Sequence, residues 1–184
     1  PPPRYMDLQR HSGKIRIMTN PHFEVRPERA DDISKLLSLA ARAFGPGRFA
    51  RTAHRIREQG RPVSGLSLCA CVEGEFAGSI RFTAVTIGGE EGALLLGPLM
   101  VEEKWLGKGG GRALVTRGHD LAREAGYVLV LLVGDLPYYQ RFGFAPVPPG
   151  QITLPGPVDP ARLLAAELAS GALEKYRGEM AAAV

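Results

Sequence analysis

Apolar residues recur at helical spacing early in the chain and at strand spacing after it. Ile33, Leu36, Leu37, Ala40 and Phe44 fall at i, i+3, i+4, i+7 and i+11, which predicts an amphipathic helix. Asp31 or Asp32 opens it as N-cap and Gly45-Pro46-Gly47 stops it. A short strand, Phe23 to Arg26, precedes it. A second helix is predicted from about Arg48 to Gln59, with Phe49, Ala53 and Ile56 as a thin apolar stripe beside Arg48, Arg51, Arg55 and Arg57. From Leu66 the period drops to two. Leu68, Ala70 and Val72 alternate with Ser67, Cys69 and Cys71; Ile80, Phe82 and Ala84 alternate with Arg81, Thr83 and Val85; Ala93 to Val101 returns. Short glycine-containing turns join these three runs into an antiparallel meander. Gly97-Pro98 interrupts the third run. Proline cannot donate to a ladder, so a neighbouring strand is absent there or a bulge intervenes; a plain edge strand is the simpler alternative.

The glycine loop Gly107-Lys108-Gly109-Gly110-Gly111 comes next, then a helix from about Gly111 to Ala125 with Ala113, Leu114, Gly118, Leu121 and Ala125 on its buried side and Gly126 as C′ residue. Tyr127 to Val133 is an apolar run suited to a strand buried on both faces. A helical turn at Pro137 to Arg141 ends at Gly143. Asp159-Pro160 reads as N-cap and first position of a last helix, with Leu163, Leu164 and Leu168 facing inward and Gly171 ending it.

Composition narrows the class. The chain has 184 residues, 45% apolar and 23% charged, which excludes a disordered or fibrous protein and fits one domain over 23–184. The longest apolar run, Tyr127 to Val133, is far short of the ~20 residues of a bilayer span. Residues 1–22 read as a loosely held, Pro-rich basic leader in which Arg4, Arg10, Lys14 and Arg16 face only Asp7. The basic excess belongs mostly to that leader, which weakens a nucleic-acid reading. The leader also lacks the apolar stretch of a signal peptide. Cys69 and Cys71, the only cysteines, lie too close together to staple distant segments, so a reducing cytoplasm is expected and packing is their expected role. The histidines show no metal-ligand spacing; His54 and His119 read as lying on polar helix faces, and no metal is expected.

The candidate chemistry lies in the order strand, glycine loop, helix. Successive glycines let main-chain N–H groups converge on one point, and the helix dipole adds positive charge there. Lys108 and Arg112 flank it. A multi-oxygen anion such as a diphosphate is the natural guest; a flexible turn is the alternative. No P-loop string is present, and Gly109 and Gly111 lead to Leu114 where a dinucleotide fingerprint needs a small residue.

Leu96-Gly97-Pro98-Leu99-Met100-Val101 followed by Trp105-Leu106-Gly107-Lys108-Gly109-Gly110-Gly111-Arg112-Ala113-Leu114 resembles the acetyl-CoA motif of the GNAT superfamily of N-acetyltransferases. The run from Gly134 to Phe144 is similar to the next motif, in the form of small bacterial acetyltransferases. The resemblance covers about residues 23–147. It implies an α/β (α+β) fold: a mixed, mostly antiparallel central sheet with helices on both faces and a splayed strand pair that holds acyl-CoA. It implies acetyl-CoA as cosubstrate, bound by Leu99, Met100 and Val101 along the strand and by Leu106, Gly107, Lys108, Gly109, Gly110, Gly111 and Arg112 in the loop. Tyr139 is implied to touch the cosubstrate and to be the acid that protonates the leaving thiolate; packing is its bland alternative. Leu106 departs from the motif, which has Gln or Arg there, and removes one side-chain contact. Asp135 stands near the place where many members have an Asn after a longer segment.

Transfer of an acetyl group to a primary amine of a small molecule, peptide or protein is the activity this implies. An acyl-CoA-binding sensor without catalysis is the alternative. Glu102, Glu103 and Asp135 are candidate bases, or simply solvated charges. The basic second helix either attracts an acidic acceptor or forms a solvated face. Neither membrane nor nucleic acid is expected as a partner, and the resemblance allows a homodimer.

Overall fold

The computed structural model describes residues 20–45 and 51–184. The leader lies almost wholly outside the described residues, as do Arg48 and Phe49, where the second helix was expected to start. The chain runs β1 (Glu24–Pro27), α1 (Ile33–Phe44), α2 (Thr52–Gln59), β2 (Pro62–Val72), β3 (Glu75–Ile87), β4 (Glu90–Val101), α3 (Gly110–Glu124), β5 (Leu129–Val133), α4 (Leu136–Tyr139), β6 (Ala145–Pro146), β7 (Ile152–Thr153), β8 (Leu163–Glu167) and β9 (Gly178–Ala182). The sheet order is β1-β2-β3-β4-β5-β8-β6, with β9 against the far end of β3 and β7 beside β9. Along that path only the β4–β5 pair is parallel. The expected mixed, mostly antiparallel sheet is therefore present, with helices on both faces.

Strand alternation sorts the two faces. Leu68, Phe82, Leu94 and Val130 point toward α3 and pack with its Leu114, Val115 and Ala122. Their neighbours Cys69, Leu95 and Leu129 point the other way, where Leu36 and Leu39 of α1 and Ile56 of α2 cover them. Among the described residues, no helix is long and apolar enough to cross a membrane.

Four local expectations need correction. The last helix is absent: Asp159 caps only a 3-10 turn, accepting the Ala161 N–H at 3.0 Å, and Leu163–Glu167 becomes strand β8. Strand β5 is buried on both faces and its edge away from β4 needs a partner. Five antiparallel pairs from Leu129↔Glu167 to Val133↔Leu163 supply it, overriding the helical preference of Leu and Ala. Second, Asp32 sits at the N-cap of α1 but its side chain does not cap. Its carboxylate turns back, taking Arg26 Nη1 and Nη2 at 2.7 and 2.9 Å and the Arg29 N–H at 2.8 Å. Those hydrogen bonds, Arg26's first, hold its pKa far below the aspartate range against the opposing effect of burial. Third, Ala125 is exposed and His119 is buried, because the inner face of α3 runs through Leu114, Val115, Gly118, His119 and Ala122. Fourth, β4 is not a plain edge strand: its first half has neighbours on both sides.

Candidate active site

Both remaining readings of Gly97-Pro98 hold. Leu96 pairs Phe82 and Leu99 pairs Ile80, so β4 spends one extra residue against β3: a bulge. On the other side, β4 and β5 pair only from Ala93↔Leu129 to Leu95↔Leu131. Beyond Leu95 the strands part, and the edge of β4 from Leu96 to Val101 has no strand beside it among the described residues. The wedge opens into a cavity of about 770 Å³. Leu96 to Met100 line it from β4, Leu132 and Val133 from β5, and Tyr139 from α4.

The loop after β4 delivers the chain to α3. A 3-10 turn, Glu103–Trp105, leads to Leu106, which is 58% exposed. Gly109 then occupies the N-cap of α3 with φ +99°, a left-handed conformation that side chains resist, and no side chain caps the helix. The first-turn N–H groups of α3 are left to another partner. Gly111 is tightly walled: a Cβ there would stand 2.3 Å from the Tyr138 hydroxyl oxygen. Lys108 Nζ lies 5.4 Å from the Trp105 ring centre and Arg112 Cζ lies 5.5 Å from that of Phe142. Both residues are exposed, and neither has a carboxylate partner among the described residues. Fixed N–H dipoles and two uncompensated cations thus surround the helix start.

Tyr139 stands at the other side of the wedge. Its ring packs edge-on against Tyr138 at 4.9 Å and Phe144 at 5.8 Å, and its hydroxyl has no hydrogen-bond partner among the described residues. Burial pushes its pKa up to about 12, with Tyr138 and Asp135 adding and Arg162 and Arg57 opposing. The packing reading and the proton-donor reading of Tyr139 are thus compatible in geometry: the ring packs and the hydroxyl is spare.

None of the candidate bases lines the cavity. Glu102 takes both terminal nitrogens of Arg42 at 3.1 Å, Glu103 opens the 3-10 turn, and Asp135 is exposed 3.4 Å from Arg162. The carboxylates that do line it are Glu58 and Asp159. Sequence reasoning also missed two features of the wall. In the α1 stripe, Ile33 and Leu37 are 40% and 63% exposed. They line the cavity; Leu36, Ala40 and Phe44 line it and also pack on the core, and the unforeseen Leu39 reaches the core alone. Arg57 is not part of a solvated face. It is partly buried, its Nη1 2.9 Å from where a Cβ on Gly97 would stand. The signal was in the spacing: Arg57 lies one turn after Ala53, on the stripe that sinks.

The sequence pattern of the Acetyltransferase (GNAT) family matches residues 33–144. The chain belongs to that family. It is similar to the Escherichia coli protein YhbS, described as an uncharacterised N-acetyltransferase, with 36% identity over 121 residues, 65% of this chain and 72% of YhbS. It is 34% identical to YjhQ of the same organism over 132 residues, 70% of this chain and 73% of YjhQ. Among solved structures, YhbS in complex with CoA superposes with a TM-score of 0.76 at 29% identity, covering 91% of this chain and 93% of that one. A Brucella melitensis GNAT acetyltransferase in complex with acetyl-CoA gives 0.64 at 28% identity over 89% and 97%. The fold and the enzyme class implied by the two motifs are those of this GNAT chain: it is an acyltransferase of this type.

Proposed function

We propose that this GNAT enzyme binds acetyl-CoA in the wedge between β4 and β5 and transfers its acetyl group to a primary amine within a ternary complex. One observation carries the reading. The β4–β5 ladder ends at Leu95, and the bare edge of β4 beyond it leads into a helix that starts on a left-handed glycine with no side-chain cap. Main-chain groups left without partners in a partly buried cleft need a ligand or water. The crystallisation of YhbS with CoA and of the Brucella relative with acetyl-CoA supports the assignment.

In this reading, Leu99, Met100 and Val101 offer their backbone to the pantetheine amides and to the thioester carbonyl. Leu106, Gly107, Lys108, Gly109, Gly110, Gly111 and Arg112 hold the diphosphate, mainly through N–H groups. Leu106 supplies no polar side-chain contact, and the main-chain donors remain. The amine nitrogen, once neutral, attacks the thioester carbon. The new N–C bond forms as the C–S bond breaks, the amine proton passes to solvent, and the Tyr139 hydroxyl protonates the departing thiolate before regaining a proton from water. With a pKa near 12 the phenol is fully protonated at neutral pH, so the donor is always loaded.

Calorimetry with acetyl-CoA tests the binding half, and thiol release with a panel of amines tests the transfer. Micromolar binding with turnover of at least one amine is expected. Binding without turnover of any amine would replace the enzyme by the acyl-CoA sensor; no binding would overturn both.

A further inference from the structure

The cavity in front of Tyr139 holds a guanidinium that no carboxylate of the fold touches among the described residues. Four arginines line the cavity; two have a carboxylate beside them and a third lies on an aromatic ring. Arg81 meets both carboxylate oxygens of Glu28 at 2.9 and 2.5 Å, Arg162 lies 3.4 Å from Asp135, and Arg51 covers the Phe44 ring at 5.5 Å. Arg57 has neither a hydrogen bond nor an ion pair among the described residues. The lining carboxylates make other contacts: Glu58 lies 3.3 Å from His54 Nε2, Asp159 accepts the Ala161 N–H, and neither bonds Arg57. Loss of water, then the Arg51 cation, bring the Arg57 pKa down to about 10, so its charge persists at neutral pH. A guanidinium drawn out of water without a counter-charge is destabilising, and an arriving anion relieves it.

The opposite wall is apolar. Ile33 and Leu37 project from α1 into this space, 40% and 63% exposed, with Ala40 and Phe44 on the same stripe. A cavity with the unpartnered guanidinium of Arg57, a hydrocarbon wall and a proton donor asks for a ligand with three matching parts. We propose, building on the acetyl-transfer reading, that the acceptor is an apolar α-amino acid or close analogue, whose carboxylate pairs with Arg57 and whose hydrocarbon side chain lies against Ile33 and Leu37. Arg57 Nη1 stands 2.9 Å from where a Cβ on Gly97 would lie, at the point where β4 leaves β5, and Tyr139 lines the same cavity. In the proposal, a carboxylate held by Arg57 places the amine one carbon away, beside the bare edge of β4 at Gly97. A guanidinium fork binds a carboxylate through two parallel hydrogen bonds, which an amide or an unsubstituted carbon cannot copy.

The test compares L-phenylalanine with L-phenylalaninamide and 2-phenylethylamine at saturating acetyl-CoA. The amide holds more free amine at neutral pH than the acid does, so a preference for the acid cannot come from amine protonation. The expected kcat/KM is at least about tenfold higher for L-phenylalanine than for either neutral analogue. In Arg57→Gln that ratio should fall close to one, and in Arg57→Lys part of it should return. Equal or better use of the carboxylate-free amines by the wild type, or a ratio unchanged in Arg57→Gln, overturns the proposal. A binding arm separates its failure from that of the reading beneath it. Calorimetry compares N-acetyl-L-phenylalanine with its amide on the CoA-loaded wild type. Stronger binding of the acid without turnover keeps the ligand class and counts against acetyl transfer; equal binding with turnover of amines does the reverse.

Discussion

Residues 93–95 and residues 97–101 belong to the same strand, and their neighbours differ. Ala93, Leu94 and Leu95 are 0% exposed, hydrogen-bonded between β3 and β5. Past the bulge, pairing with β3 alone continues to Val101; Pro98 and Leu99 become partly exposed along the cavity, and Val101 partly exposed beyond it. The first half is structure because its main chain is satisfied within the sheet. The second has lost one neighbour, and in the proposed reading that bare main chain binds the cosubstrate with no unusual side chain needed. In that reading a binding edge is made by subtraction from a ladder.

Leu94→Ala and Leu99→Ala probe this difference most heavily. The first opens a void in a fully buried layer and should lower unfolding free energy by about 3 kcal/mol. The second removes a partly exposed side chain and should lower it by about 1 kcal/mol, with its main effect on the KM for acetyl-CoA. Urea denaturation of both variants gives the comparison. Equal losses would mean that the wedge is packed as tightly as the ladder.

At the helix end of the wedge, Gly109→Val places a branched side chain at φ +99°, and Gly111→Val drives one into the Tyr138 hydroxyl. Each should weaken acetyl-CoA binding by about a hundredfold or more through loss of the N–H cradle. Calorimetry on variants with unaltered far-ultraviolet spectra reads this directly. Unchanged affinity would place the diphosphate elsewhere.

Much of this contrast was legible in the sequence. Pro98 in an otherwise alternating run signals a defective ladder, and consecutive glycines before a helix signal a main-chain site; both are local rules. The rest was hidden for physical reasons. Leu163 to Glu167 has the composition of a helix, and only the bare edge of β5, remote in sequence, makes it a strand. The α1 stripe gives the helix but not which of its residues meet core and which meet cavity, because a wide apolar face serves both. Arg57 looks solvated by residue type, and its burial depends on how α2 lies against the bulge at Gly97.

Tyr139→Phe sharpens the contrast at the reacting end. It should lower kcat by roughly tenfold to a hundredfold while the acetyl-CoA dissociation constant changes less than about twofold, since the ring and its packing survive. Parallel losses in both would leave Tyr139 as a packing residue. The pH profile adds a second readout. With the phenol pKa raised to about 12, wild-type kcat should rise with deprotonation of the amine and show no falling limb from Tyr139 below about pH 11. A falling limb near pH 9 that vanishes in Tyr139→Phe would mean a far more acidic phenol.

The smallest effect concerns the packed side, where desolvation has no ligand to answer it. His119 lies 7% exposed between Phe82 and Phe144, with an Nε2 that finds no hydrogen-bond partner among the described residues. Burial, aided by the Arg123 charge, lowers its pKa to about 4 from the ordinary 6.5. Below pH 6.5 the unfolded chain takes up a proton that the folded chain refuses, so stability is full above that pH and falls away toward pH 4. From pH 7 to 5.5 the loss attributable to His119 is about 1 kcal/mol. His119→Leu keeps the packing, removes the proton site and should flatten that slope. The Asp32 ion pair adds its own acid sensitivity only at lower pH, because its pKa is depressed from the aspartate range. Denaturation curves of both proteins at pH 7 and 5.5 therefore isolate the histidine, and parallel losses would mean that His119 is not held neutral by burial. Arg57 and His119 lose water alike, yet Arg57 faces a cavity where a ligand can restore the balance and His119 faces phenyl rings that cannot.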